Sequence, residues 1–491
     1  MSATSSSPDL DDLESAFSNL TTNATPPRGL WTQFLLNLAA VSRENIQVRE
    51  KIGRPRVLQG LIAFINDELE SFPEGVEAAL RCIGNACIDN DTVRQHVTDL
   101  HFRWAVRCLE HSLFYGWRLA NLTVKVLYNI CLDFAPASEQ CYRDGVPIKL
   151  ITLCYWNACN KLEDPLAIEL LFWTSAHLPN LPDSPLHIGS DTLLEVLRLP
   201  PAHYRRLQGD LESPSTRESQ DSLLSIDNYS MLLETTCTFL RDEQVQRGIC
   251  QSGVLSSDLW ALLYCNEEYM DVLCAIEVPD EEIKLLMPLS TSLTWILSDI
   301  SAKPEFVASN DVRSDWVKAN VIERIAEWRG FNNRLYTAAC QVLGNMLWVR
   351  KDQPETPNMR SVEEDVSWLV EQREIQRGLF QHIYDASRNP DLLHSAAGLL
   401  LQLARPSARV REEIVNSEGA ESSLDMLCRH ENQQIQQDGI KLLRALGQDN
   451  AAVQQRFAEL AQAAVAKAAA NAEAANADGD AQTVQNTEVP G

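Results

Sequence analysis

Glycine is scarce in this sequence, at 20 of 491 residues, and runs that alternate apolar and polar side chains are hard to find. Both absences argue against an extensive β-sheet and favour a mostly helical protein. No run approaches the roughly 18 apolar residues that a membrane-spanning helix requires, so we expect no direct membrane insertion. The first 28 residues contain neither the basic nor the apolar segment of a secretory signal. We therefore expect a soluble protein of the cytoplasm, with the nucleus as a possible additional compartment.

Catalytic and metal-binding signatures are also missing. None of the 13 cysteines forms a Cys-x-x-Cys pair, and the chain has no G-x-x-x-x-G-K-[ST], no H-E-x-x-H and no G-x-S-x-G. The nine histidines are scattered, and we interpret His96, His177 and His394 as surface or packing residues of helices. We expect no covalent chemistry, no metal ion and no cofactor.

Four of the cysteines, Cys87, Cys131, Cys237 and Cys340, fall within apolar helix stripes. A free cysteine in such a position behaves as a small hydrophobic side chain, so these thiols are predicted to be buried and reduced. Reduced thiols are typical of a reducing, cytosolic compartment.

Basic residues are outnumbered, with 42 Lys and Arg against 68 Asp and Glu and a net charge of −26. Nucleic acid is therefore not expected as the main partner, because phosphate binding needs a basic surface. The balance indicates either a cationic partner or an acidic surface that is simply well solvated.

The chain has a repeated helical pattern, which is clearest in the stretch Ala79–Val97. There Leu80, Ile83, Gly84 and Cys87 lie at offsets 0, +3, +4 and +7, which is one apolar face of a helix. Offset +5 lies about 150° from the centre of that stripe, so the side chain at +5 faces away from the same core.

The pattern recurs nine times. Five of the eight separations between successive +5 positions are 42–48 residues, and the other three, of 57–65 residues, contain insertions. Armadillo and HEAT units have a period of about 40–47 residues, and each unit packs only on its neighbours. The sequence predicts an all-α fold, a right-handed α-solenoid of armadillo/HEAT-like repeats. The +5 residues are Asn37, Asn85, Asn129, Trp173, Thr238, Ser298, Asn345, Gln402 and Arg444.

Composition divides the chain into five parts. Residues 1–28 are predicted to be a disordered N-terminal arm, and 463–491 a low-complexity tail. Armadillo repeats are predicted for 29–199 and for 229–462. Between them, residues 200–228 contain Pro200-Pro201 and a serine-rich run, and predict a linker or long loop.

Stacked units would place offsets +1, +5 and +9 along one exposed groove. Asparagine at +5 has two interpretations: a ladder that grips a partner's backbone, or a helix cap or inter-helix hydrogen bond. The carboxylates indicate either an acidic groove for an extended basic segment or an ordinary solvated face, and Arg81 and Lys125 could form local ion pairs there. The predicted groove residues are Asn37, Asn85, Asp89, Asn129, Asp133, Glu169, Glu234, Asp242 and Asn345.

The phrases LLNLA, CIGNAC, LYNIC and VLGNML resemble armadillo third-helix motifs. Nuclear-import adaptors of that family carry tryptophan four residues before the asparagine. This chain has Gln33, Arg81, Lys125 and Gln341 there, so binding of import signals is not expected.

Across residues 30–460 the repeat style resembles the armadillo-type guanine nucleotide dissociation stimulators of small GTPases, the smg GDS family. The segments most like it are ALRCIGNACIDND, TAACQVLGNMLW and NSEGAESSLDMLCRHENQQIQQDGIKLLRAL. The resemblance implies a monomeric exchange factor and chaperone. Its partners would be Rho- or Rap-like GTPases with polybasic, prenylated tails. The alternative is a scaffold without exchange activity, similar to ataxin-ten-like armadillo proteins.

Overall fold

The computed structural model describes residues 28–115, 117–160, 162, 164–177, 189–211, 221–275, 280–326, 333–351, 360–448, 451 and 454–455. In these residues the backbone is helical apart from turns and short connections, and they contain no strand, which confirms the all-α class. The predicted arm and tail lie almost wholly outside the described residues; within the arm's range only Arg28 is described, as the first residue of a helix.

Two compact units divide the chain: Met1–Gly248 with Tyr269–Leu289, and Ile249–Glu268 with Ser290–Gly491. The predicted linker at residues 200–228 lies within the first of these units. Three helices contain residues of both units: α13 (Glu243–Cys250), α14 (Gly253–Ala275) and α15 (Asp280–Ser301).

The first unit is built from helix triplets, each with a short first helix followed by two longer ones. The third helices α1, α4, α7, α10 and α12 pack in series, each on the next, and the second helices α3, α6, α9 and α11 form another series. Packing between nearest neighbours is what defines a helical-repeat solenoid. The bounds are α1 (Arg28–Glu44), α2 (Ile46–Ile52), α3 (Pro55–Glu68), α4 (Pro73–Ala86), α5 (Asp91–Asp99), α6 (Arg103–Tyr115), α7 (Trp117–Cys131), α8 (Ala135–Arg143), α9 (Val146–Cys159), α10 (Pro165–Ser175), α11 (Ser190–Leu211) and α12 (Asp221–Leu240).

The second unit repeats the arrangement. Its third helices α18, α21 and α24 pack in series, as do its second helices α17, α20 and α23, so an α-solenoid of armadillo/HEAT-like repeats describes each unit. The bounds are α16 (Pro304–Ser309), α17 (Asp315–Val317, the π-helical Lys318–Ile322 and Glu323–Ala326), α18 (Asn333–Lys351), α19 (Val362–Ser367 and the π-helical Trp368–Gln372), α20 (Ile375–Asp385), α21 (Pro390–Ala404), α22 (Ala408–Val415), α23 (Ala420–Cys428) and α24 (Gln433–Leu446).

Polar side chains and glycines set the helix boundaries. Asn90 begins α5 by accepting the backbone N–H of Val93 at 3.1 Å, and Asp164 begins α10 by accepting that of Ala167 at 3.2 Å. Gly145, before α9, has φ 85°, a left-handed conformation that a residue without a Cβ adopts at low cost. Such caps let short helices follow one another closely enough to form triplets.

The predicted linker at 200–228 is mostly wrong, because α11 continues to Leu211 and α12 begins at Asp221; residues 212–220 lie outside the described residues. Pro200 and Pro201 lie inside α11. Leu199 and Tyr204 on either side of them are buried, so packing against neighbouring helices outweighs the local preference of proline to break a helix.

The four stripe cysteines are buried and free, as predicted. Burial raises the pKa of the Cys87 and Cys237 thiols to about 12, because desolvation disfavours the thiolate. The same effect raises the pKa of Cys340. These thiols therefore contribute to the core as apolar groups.

Candidate functional site

The third helices of the first unit leave one stripe of side chains exposed or half-buried, as the apolar periodicity predicted. We call this stripe the third-helix face. It contains most of the predicted groove residues at +1 and +5. Its members are Asn37 on α1; Arg81 and Asn85 on α4; Arg118, Lys125, Tyr128 and Asn129 on α7; Glu169 and Trp173 on α10; and Asp227, Glu234 and Thr238 on α12. Glu77 on α4 is buried beneath Arg81 and Arg118.

Two of the predicted asparagines hold neighbouring repeats together. Asn85 donates through Nδ2 to the carbonyl oxygen of Ala39 at 2.9 Å and to Oγ of Ser42 at 3.1 Å, both on α1. In the second unit, Asn345 donates in the same way to the carbonyl oxygen of Ser298 at 2.9 Å and to Oγ of Ser301 at 3.1 Å. For these two residues the structure supports the inter-helix hydrogen bond, one of the two interpretations of the asparagine pattern.

The other two asparagines differ. Asn37 is exposed and accepts through Oδ1 from Nε2 of Gln33 at 3.0 Å, one turn earlier on α1. Asn129 is half-buried and makes no side-chain hydrogen bond to the described residues. Three of the four asparagines, Asn37, Asn85 and Asn345, therefore make a side-chain hydrogen bond within the protein. The fourth, Asn129, makes none to the described residues.

The three predicted aspartates at +9 do not extend the helical face. Asp89 and Asp133 lie beyond the ends of α4 and α7 with φ of 53° and 55°. Asp242 lies beyond α12, and its Oδ1 accepts the backbone N–H groups of Gln244 at 2.9 Å and Val245 at 3.0 Å. The +9 prediction assumed that each helix continued, and it is wrong here because each helix ends before that position. Asp242 acts as an N-cap of α13.

Acidic and aromatic side chains meet on α10 and α12. Glu169 and Glu234 occupy the +1 position on these two helices, which pack directly against each other. Trp173, one turn beyond Glu169, lies with its ring centroid 5.0 Å from that of Tyr128 on α7. Desolvation, together with the charge and the hydrogen bond of Glu169, raises the pKa of Tyr128. Neither α10 nor α12 contains a lysine or arginine.

The face is basic on α7. Arg118 Nε lies 3.0 Å from the carboxylate of Glu77 on α4, and the same carboxylate accepts from Arg81 at 3.3 Å. Glu77 therefore forms ion pairs with two guanidinium groups. Lys125 makes no ion pair with a described residue within 4.0 Å. Helix α7 contains no carboxylate at all. The carboxylates of the third-helix face therefore lie on α10 and α12, and the charged side chains of α7 are Arg118 and Lys125.

The second unit exposes tryptophan on α15 and α18, which was not predicted from the sequence. Trp295 on α15 is 58% exposed, and Trp348 on α18 is 45% exposed. The guanidinium of Arg405, the residue that follows α21, lies 4.6 Å from the centroid of the Trp348 ring, and Arg405 also donates to Gln402 at 2.8 Å. The exposure of Trp295 could have been predicted from the sequence. It lies at offset +2 from Leu293, about 150° from the centre of the apolar stripe.

A buried ionic cluster in the second unit was also missed. Asp365 is fully buried and accepts from Arg313 Nε at 2.9 Å, from Arg360 Nε at 3.3 Å and from Arg350. The guanidinium of Arg313 also lies 5.0 Å from the ring of Trp368. These residues come from separate parts of the chain, so no local spacing indicates the cluster. Its contacts are those of a structural ion-pair network.

Neither a metal centre nor a membrane segment is apparent in the described part of the chain. Those residues contain no group of three or more His, Cys, Asp or Glu side chains placed to hold a metal ion. None of the helices in the described ranges combines the length and the apolarity needed to span a bilayer.

Comparison with known proteins gives no relative by sequence and only distant similarity to solved structures. No family model matches the sequence, and no curated protein matches it. An engineered protein of known structure is 14% identical over 89% of this chain and 98% of its own, with a TM-score of 0.34. A designed armadillo repeat protein in complex with the peptide (KR)4 is 14% identical over 59% of this chain and 98% of its own, with a TM-score of 0.31. The solenoid assignment therefore depends on the helix packing within each unit, and on that packing the chain is an armadillo-like helical-repeat protein.

Proposed function

We propose that this chain is a regulatory binding protein of small GTPases, which holds their polybasic C-terminal segment on the third-helix face and promotes GDP release. The observation that carries the proposal is the acidic and aromatic surface of α10 and α12. Glu169 and Glu234 offer carboxylates from adjacent helices, Trp173 offers an aromatic ring one turn from Glu169, and neither helix carries a competing cation. Lysine and arginine side chains bind both kinds of group.

The asparagines suit the backbone of such a segment. Asn85 donates through Nδ2 to the preceding repeat, and its Oδ1 accepts no hydrogen bond from the described residues. That oxygen can accept a backbone N–H of an extended chain, and Asn129 can both donate and accept. Recognition through backbone groups allows different basic tails to bind.

Promotion of GDP release needs no covalent chemistry. A protein that binds the nucleotide-free GTPase more tightly than the GDP-bound form shifts the equilibrium towards nucleotide loss, by as much as the two affinities differ. Binding of the GTPase tail to this chain would also shield the prenylated C terminus of the GTPase from water. This shielding is the chaperone part of the proposal. On this proposal the chain is a monomeric regulator and requires no cofactor.

A scaffold without exchange activity is the second candidate. The exposed Trp295 and Trp348 favour it, because large exposed aromatic side chains are enriched at protein interfaces. A scaffold would bind partners on its faces without changing their nucleotide state.

The release of labelled GDP from a panel of Rho- and Rap-type GTPases tests the proposal. We expect the full chain to accelerate release from GTPases that carry their basic tail, with a smaller effect at high salt. The double variant Glu169→Gln/Glu234→Gln should weaken binding of the tail, with each partly exposed pair contributing about 0.2–1 kcal/mol.

A matched control neutralises two exposed carboxylates of the same unit outside the face, Asp67→Asn/Glu70→Gln, and should leave release unchanged. Binding without acceleration of release would favour the scaffold. No binding, or equal binding with and without the tail, would refute the proposed recognition.

A further inference from the structure

The third-helix face of the first unit changes sign between α7 and α10. The charged side chains of α7 are Arg118 and Lys125, and those of α10 and α12 on the face are Glu169, Asp227 and Glu234. Helix α7 packs on α10 and α10 on α12, so the two charged regions are adjacent. A sign change within one continuous face restricts which segment can lie along it.

The basic region is only partly neutralised by its neighbours. Burial raises the pKa of Asp164 at the start of α10, and the positive charge of Lys125 opposes that shift. Glu77 on α4 is the carboxylate closest to Arg118, at 3.0 Å, but it is shared with Arg81 at 3.3 Å. The side chain of Arg118 remains 77% exposed, and Lys125 is exposed as well. Both cations are therefore accessible to a partner that approaches along α7.

The aromatic pair lies where the sign changes. Tyr128 on α7 and Trp173 on α10 have ring centroids 5.0 Å apart, and both side chains are half-buried. Two rings that bridge neighbouring helices provide an apolar contact for an uncharged stretch of an extended chain.

We propose that the segment held on this face carries both signs of charge, with acidic side chains over α7 and basic side chains over α10 and α12. This inference depends on the proposed function, since it assumes that the face binds an extended basic segment. Packed helices lie about 8–10 Å apart, so α7 and α12 are separated by about 20 Å. An extended chain advances about 3.3 Å per residue. The acidic and basic groups of the occupant are therefore about three to six residues apart.

The same geometry limits the length of a purely basic occupant. A lysine-rich run that extends past α10 would place its charges against Arg118 and Lys125, and like charges repel. A GTPase tail bound here should thus have an acidic or neutral residue on one side of its basic run.

The test uses the full chain and three synthetic peptides of equal length, measured by fluorescence anisotropy at two salt concentrations. One peptide has a glutamate block, a Gly/Ser spacer of four residues and a lysine block. The second replaces the glutamates with glutamines, and the third replaces them with lysines. We expect the first to bind about fivefold more tightly than the second, and the third most weakly.

Charge reversal on α7 provides the second arm. Lys125→Glu, at an exposed position, should weaken binding of the glutamate-containing peptide about fivefold and strengthen binding of the all-lysine peptide. Arg118→Gln should act in the same direction, and circular dichroism would check that each variant is folded. Equal binding of the first two peptides, with no response to Lys125→Glu, would overturn this inference and leave the proposed function standing. Failure of all three peptides to bind would refute the proposed function itself.

Discussion

Asn85 donates its side-chain amide to the backbone carbonyl of Ala39, 2.9 Å away on the third helix of the preceding repeat. Asn345 makes the same kind of bond to the carbonyl of Ser298 in the second unit, also at 2.9 Å. Asparagine is a modest helix former, so its recurrence needs a physical reason. At these two positions that reason includes a polar connection between successive repeats, which leaves the amide oxygen for other contacts.

We predict that Asn85→Ala lowers the free energy of unfolding by about 0.5–1.5 kcal/mol, because it removes the hydrogen bonds to α1. The matched control is Asn129→Ala, which lies at the corresponding position of α7 and makes no side-chain hydrogen bond to the described residues. Chemical denaturation of both variants would measure the difference. Equal losses would show that the bond between repeats contributes nothing to stability.

Leu400→Ala should lower the stability of the second unit by about 2–5 kcal/mol, because Leu400 is fully buried on α21. Leu343→Ala on α18, also fully buried, should behave alike. In an array coupled through nearest neighbours, hydrogen exchange should accelerate mainly in the adjoining repeats. Trp295→Ala, at an exposed position of α15, is the control and should cost far less. Uniform loosening along the whole chain would contradict the nearest-neighbour picture.

Asp365→Ala should lower the free energy of unfolding by about 3–5 kcal/mol, since it leaves the guanidinium of Arg350 with no buried carboxylate. The side chain of Arg350 is only 7% exposed, so water cannot replace the lost partner. Asp315→Ala, which removes an exposed carboxylate 3.5 Å from Lys318, should have no measurable effect on thermal unfolding. A similar effect of both variants would exclude a structural role for the cluster.

Stability of the second unit should fall on acidification because of His382. Burial lowers the pKa of this histidine from 6.5 to about 3, since desolvation disfavours the imidazolium. Between these values the unfolded chain binds a proton that the folded chain does not, so stability rises with pH across this range and is lost as pH falls.

The variant His382→Phe keeps an aromatic ring beside Tyr336, whose ring centroid lies 3.5 Å from that of His382. Thermal unfolding of wild type and variant would be measured between pH 7 and pH 4. The difference between the two curves gives the loss of stability that is due to His382, because the carboxylates titrate in both proteins. We expect a shallower loss of stability in the variant. Parallel curves would show that His382 does not titrate on unfolding.

The sequence by itself determined the repeat and its exposed side. Apolar residues at 3.6-residue periodicity define which side of a helix is buried, and a period of 42–48 residues defines units that stack. From this, the pattern placed Asn85, Glu169 and Glu234 on the side of their helices away from the apolar stripe, where Asn85 and Glu169 are half-buried and Glu234 is exposed. The buried thiols followed from the same pattern, because only local spacing was needed.

Tertiary packing decided where the helices end and which charged side chains lie close together. Whether Pro200 ends a helix depends on the buried neighbours that hold α11 together, and whether Asp89 lies on a helical face depends on where α4 ends. The sign change between α7 and α10 is visible only once these helices are known to be neighbours, because charges 44 residues apart in sequence have no fixed relation in space. The three arginines on Asp365 converge for the same reason: long-range contacts, unlike helical periodicity, are set by how separate helices pack.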